Sequence, residues 1–235
     1  MNEHISSAYD RDLEHITTLI MRMGGLVEEA ILKAAKSLND RDVELAEEVR
    51  AGDKVIDALE LQINEEAART IALRAPVSKD LRSVLTVLRL AASLERIGDY
   101  AKNIAKRTSV VVEMNPVIGS DAALRRMARE VEQMLKDTLD AYIRSDAVLA
   151  EDVRQRDQEV DQMYNALFRE FLTFMMEDPR NITACMHLHF MAKNIERMGD
   201  LTTNMAEQVI YLVTGEMPEE ARPKDDKTAF VSSAG

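Results

Sequence analysis

Apolar residues return every third or fourth position through six stretches of this chain, and short polar breaks separate the stretches. The first predicts a helix from about Ala8 to Leu38, on Leu13, Ile16, Ile20, Met23, Val27, Ala30, Ile31 and Ala34. Asn39-Asp40-Arg41-Asp42 breaks it, and either aspartate suits the cap of the next helix. That helix runs from about Val43 to Leu73 on Leu45, Val49, Ile56, Leu59, Ile63 and Ala67. Pro76 disfavours helix at Ala75, and Ser78 is the expected N-cap of a third helix, Lys79 to Val112. Residues 114–119, Met-Asn-Pro-Val-Ile-Gly, then read as a linker. Further helices are predicted at Asp121–Ile143, Ala147–Met176 and Ile182–Thr214, with Pro179 placed where Pro76 stood. The tail 215–235, with Pro218, Pro223 and mixed charge, is expected to be disordered.

The second half repeats the first. Leu45-Ala46-Glu47-Glu48-Val49-Arg50 matches Leu149-Ala150-Glu151-Asp152-Val153-Arg154, and Asp53 and Asp57 match Asp157 and Asp161, all at an offset of 104. Three helices, short connections, then three more imply an all-α fold of two tandem antiparallel three-helix bundles. The expected division is a bundle at 8–113, the linker at 114–119 and a second bundle at 120–214. Helices of about 30 residues span about 45 Å, which predicts an elongated molecule.

The repeat also carries the candidate chemistry. Glu95-Arg96-Ile97-Gly98-Asp99 with Asn103 returns 101 residues later as Glu196-Arg197-Met198-Gly199-Asp200 with Asn204. Residues at i, i+4 and i+8 share a helix face, so each copy aligns two carboxylates and an amide. Like charges four apart destabilise a helix by about 0.2–0.5 kcal/mol, which calls for compensation by a hard cation or by Arg96 and Arg197. Asp53/Asp57 and Asp157/Asp161 lie on the preceding helices, at similar distances from the proline turns, so antiparallel hairpins set them opposite the Glu–Asp pairs. Roughly seven acidic i,i+4 pairs are expected by chance in so acidic a chain, so a single pair carries no weight and only their doubling across the repeat does. Gly98 and Gly199 add to it, because glycine inside a helix costs about 0.5–1 kcal/mol relative to alanine. The competing interpretation is a set of surface acids paired with arginine and lysine, with glycines that let helices approach. Oxygen donors favour Mg, Mn, Ca or Fe.

Composition narrows the function. The 235 residues carry a formal net charge of -12 and no basic block, which argues against nucleic-acid binding. No window approaches 18 uninterrupted apolar residues, and the residues after Met1 do not read as a secretory signal. Cys185 is the only cysteine, so a soluble, reduced, cytoplasmic protein is expected. His187 and His189 point about 200° apart on a helix and do not share a site. The Glu-x-x-His pairs of helical di-iron enzymes are missing, as are a phosphate-binding glycine loop and HExxH. A carboxylate-bridged di-metal oxidase or a metal-storage bundle is the alternative to a non-enzymatic role.

Pro76-Val77-Ser78-Lys79-Asp80-Leu81-Arg82, the run Leu94 to Ala105, Ile195 to Asp200, and Asn204-Met205-Ala206-Glu207 closely resemble the PhoU family, accessory proteins of bacterial phosphate-specific transport. The likeness covers about residues 5–217 and includes Met21-Arg22-Met23-Gly24-Gly25-Leu26-Val27. It implies a regulator, not an enzyme, that joins the phosphate transporter's ATPase subunit to a sensor histidine kinase. Such a protein represses uptake and the starvation response, as a homodimer in the cytoplasm that meets the inner membrane through partners. It also implies metal ions (Mg, Mn, Fe or Zn) at Glu95/Asp99 and Glu196/Asp200, with Asp53/Asp57 and Asp157/Asp161, supported by Asn103, Asn204, Arg96 and Arg197. Two positions depart from the family pattern: Ala75 stands where glutamine is common, and Leu201 where histidine is common. The second departure removes a potential imidazole ligand from the second site.

Overall fold

The computed structural model describes residues 2–117 and 119–218, with side chains from residue 8 onward. Its helices are α1 (Asn2–Asp40), α2 (Val43–Arg74), α3 (Lys79–Val111), α4 (Ser120–Arg144), α5 (Ala147–Glu177) and α6 (Ile182–Thr214), with a 3-10 turn at Pro179–Asn181. The expected disorder of the tail falls, from residue 219 on, outside the described residues. The predicted bounds agree closely except at the start of α1. Its polar first turn shows no apolar periodicity, so sequence placed the start later.

The two repeats turn alike. Asp42 caps α2 by accepting from the Leu45 amide at 2.9 Å, and Asp146 caps α5 by accepting from the Val148 and Leu149 amides, each at 3.0 Å. The residue before each cap is left-handed, Arg41 at φ 54° and Ser145 at φ 53°. Ser78 does not cap α3 as expected: its backbone is at φ 51°, ψ −115°, and its side chain makes no capping bond. An N-cap needs extended backbone to aim its oxygen at the first turn, and Ser78 lacks it. In the second repeat Asp178 serves the 3-10 turn, accepting from the Arg180 amide at 2.9 Å.

Each bundle buries the apolar stripes of its three helices, but the bundles also lie side by side. Along α3 and α6, Arg82 stands 5.4 Å over Tyr211, Arg89 donates to Gln208 at 2.7 Å, Arg197 lies 6.0 Å from the Tyr100 ring and Arg107 4.4 Å from Phe190. The start of α3 thus meets the end of α6 and the reverse, an antiparallel pairing over their whole length. Helices α1 and α4 pair likewise, with the Thr17 and Tyr142 hydroxyls 3.3 Å apart and Leu139 seated where a Cβ on Gly24 would be. One apolar core, including Ile20, Met23, Leu90, Ile97, Met127, Leu135 and Met198, runs through both repeats. Among the described residues, helix α2 packs only on α1 and α3, and α5 only on α4, α6 and the 3-10 turn, so these two flank the molecule. The α2/α3 and α5/α6 grooves are therefore on its outer sides. The connection to α4 is tied down: Arg41 donates to the Met114 carbonyl at 2.8 Å, and Ser120 to the Val117 carbonyl at 2.7 Å.

Candidate functional site

Helices α2 and α3 bring the first set of acids together. Asp53 is buried, Glu95 and Asp99 are half-buried, and Asp57 is exposed. Burial, reinforced by Asp99, Glu60, Asp57 and Asp53, raises the Glu95 carboxyl above its ordinary value. The Asp57 carboxyl is raised too, first by burial and then by Asp53, with Lys102 opposing. Asp53, Asp99 and Glu60 act on both Glu95 and Asp57, which makes a five-membered acidic cluster that includes Glu60. Sequence reasoning missed Glu60, although it lies three residues past Asp57 on the same face.

Sequence reasoning also missed Lys102. Its ammonium donates to Asp53 Oδ2 at 2.5 Å and to Asp99 Oδ1 at 3.1 Å, joining α2 to α3. Those bonds, Asp53's first, hold its pKa well above the ordinary lysine value. The signal was its position three residues after Asp99, the same helical spacing that made Arg96 attractive before it. Arg96 is exposed, and Arg197 faces Tyr100 across the α3/α6 seam rather than its own acids. Asn103 and Asn204 are both exposed.

The second set is more deeply placed. Asp157, Asp161 and Glu196 are all buried, and Asp200 is half-buried. The Lys193 ammonium pairs with Glu196 Oε1 at 2.9 Å and lies 4.9 Å over the Tyr164 ring. Buried Arg154 pairs with Glu151 and, at 3.3 Å, with Glu207, which joins α5 to α6. His189 stacks on Tyr164 at 5.9 Å, and burial followed by the Lys193 charge lowers its pKa. Neither Lys193 nor Tyr164 was singled out from sequence, because the matching positions of the first repeat are Ala92 and Glu60.

The glycines explain the close approach. A Cβ on Gly98 would fall 3.1 Å from Ile56 Cδ1 and 3.8 Å from Asp53 Oδ1. On Gly199 it would fall 3.3 Å from Val160 Cγ1 and 3.5 Å from Asp157 Oδ1. Each glycine thus lets its helix settle over the aspartate of the preceding one. Among the described residues, no three His, Cys, Asp or Glu side chains stand in a coordinating arrangement. The donor chemistry nonetheless fits a hard cation: the ligands are oxygens, and Asp53 Oδ1 is buried without a hydrogen-bond partner beside the Gly98 cradle.

The PhoU domain model matches the chain twice, at residues 20–108 and 124–209, once in each bundle. The chain belongs to the PhoU family. It is 45% identical over 237 residues to a phosphate-specific transport system accessory protein PhoU homolog of Rhizobium meliloti, covering 98% of this chain and 97% of the relative. A homolog of the same description from Caulobacter vibrioides is 46% identical over 226 residues, covering 96% and 98%. The crystal structure of PhoU from Pseudomonas aeruginosa superposes with a TM-score of 0.86 at 38% identity, over 88% of this chain and all of that one. The phosphate transport system regulatory protein PhoU from Streptococcus pneumoniae gives 0.83 at 30% identity, over 90% of this chain and all of that one. These matches establish the all-helical twin-bundle fold.

Proposed function

We propose that this chain is a non-enzymatic regulator of phosphate uptake, which restrains the transporter and keeps the phosphate-starvation response off when phosphate is plentiful. The observation that carries this reading is near-complete coverage of relatives described as phosphate-specific transport accessory proteins. In it, the chain joins the transporter's ATPase subunit to a sensor histidine kinase, acting in the cytoplasm as a homodimer. No helix among the described residues is long and apolar enough to cross a membrane, which suits contact with membrane partners from one side. Exposed Leu172, Met176, Ile182, Met186 and Phe190 at the α5/α6 turn supply apolar surface for a partner.

In the same reading, Asp53, Asp57, Glu95 and Asp99 hold one metal ion or cluster, and Asp157, Asp161, Glu196 and Asp200 another. A bound hard cation supplies positive charge to clustered carboxylates. The chain's own contribution is the two hairpins, which fix those carboxylates in outer grooves, and the glycines that let the helices close.

The test is alkaline phosphatase activity in phosphate-replete cells from which the gene has been deleted and then restored. High activity on deletion and silence on restoration are expected. Unchanged low activity after deletion refutes the repressor role.

A further inference from the structure

The two clusters differ in where their ammonium comes from. In the first, Lys102 follows Asp99 by three residues and reaches across the groove to Asp53, at 3.1 and 2.5 Å. In the second, the matching position is Thr203, and Lys193 approaches from three residues before Glu196. The first groove therefore carries a lysine that spans the two helices a metal would have to span. Asp53 gives that lysine one oxygen, Oδ2, while Oδ1 stays buried and without a partner. The Asp53 side chain is only 4% exposed, whereas Lys102 is 41% exposed. The aspartate is fixed in the wall, and the lysine can swing out to water along its flexible stem.

We propose that Lys102 is a built-in counter-ion of the first cluster, which a divalent cation must displace in order to bind there. This rests on the proposed metal-binding reading of that cluster. Five carboxylates gathered in one groove need positive charge, and an ammonium and a divalent ion compete for the same two aspartates. Displacement exchanges a helix-bridging lysine for a helix-bridging ion, so α2 and α3 stay joined while the ammonium is released to the surface. Loading of the first cluster is thereby set against a competitor carried by the chain. The second cluster, with threonine at that position, is not governed by Lys102.

The experiment titrates full-length protein with Mn²⁺, following free Mn²⁺ by electron paramagnetic resonance. Glu196→Gln plus Asp200→Asn silences the second cluster, and Lys102→Met and Lys102→Gln are compared in that background. Removal of the competing charge is expected to tighten Mn²⁺ binding by about tenfold or more, within the range that groups supporting metal ligands exert. In the wild-type chain, saturating Mn²⁺ is expected to speed acetylation of Lys102 severalfold, read by peptide mass spectrometry. Equal affinity in the lysine variants, or Mn²⁺ binding that leaves Lys102 labelling unchanged, overturns the competition while leaving the metal site intact. Failure of every form, including the wild type, to bind Mn²⁺ overturns the competition together with the metal reading. Circular dichroism of both variants verifies the fold, and the labelling arm needs no variant.

Discussion

Gly98 and Glu95 lie three residues apart on α3 and answer to different forces. At Gly98 the constraint is space. Alanine gains helix propensity but presses on Ile56, so its net effect should stay within about 1 kcal/mol. Valine should overpack the α2/α3 seam and cost about 1–3 kcal/mol, measured by urea denaturation. At Glu95 the constraint is charge. Its raised pKa means that the native state keeps a proton the unfolded chain has already released. Stability should therefore fall as pH rises from the ordinary carboxylate range through the raised native value. Glu95→Gln should remove that part of the slope in metal-free protein and stabilise it at neutral pH by up to about 1 kcal/mol, after solvent screening. Denaturation between pH 4 and 8 reads both effects. An unchanged slope in the variant would place the titration on other groups.

Among the elements, the helix starts are the most open to test. Asp42 and Asp146 each occupy extended backbone and accept amide hydrogens, so Asp42→Ala or Asp146→Ala should cost about 1 kcal/mol. Ser78 occupies backbone that side chains rarely adopt, and it caps nothing. Ser78→Ala should therefore leave stability nearly unchanged, and Ser78→Gly should raise it by about 1 kcal/mol through relief of backbone strain. Thermal denaturation of the four variants separates a cap from a residue that merely looks like one.

At the scale of the whole molecule, the bundles stand or fall together. Helices α1 and α3 press onto α4 and α6 through a core that crosses the repeat boundary. A chain ending at residue 117 would expose the faces of α1 and α3 that the second repeat covers. It should self-associate or fail to fold, as measured by sedimentation and circular dichroism. In the full chain, Leu139→Ala should cost about 2–5 kcal/mol and lower one cooperative transition, because Leu139 packs against α1 over Gly24. Two separate transitions, with only one shifted, would show that the repeats unfold independently.

Periodicity by itself determined the six helices, their breaks, the doubling of the three-helix unit and the acidic pairs, because apolar spacing and turn residues are local properties. The cap of α2 was narrowed to Asp40 or Asp42 for the same reason, and the backbone of the turn chose Asp42. The partners of the acids were not: Arg96 and Arg197 matched Lys102 in spacing, and only the packing of α2 on α3 decided which cation reaches Asp53. Glu60 and Lys193 were hidden because the repeats differ at those positions. Ser78 looked like a cap until the backbone of the proline turn set its φ. The side-by-side seam of α3 on α6 was likewise decided in three dimensions. Its pairs, Arg82 with Tyr211 and Arg107 with Phe190, lie far apart in the chain. Such contacts follow from burying two apolar faces at once, which neither helix specifies alone.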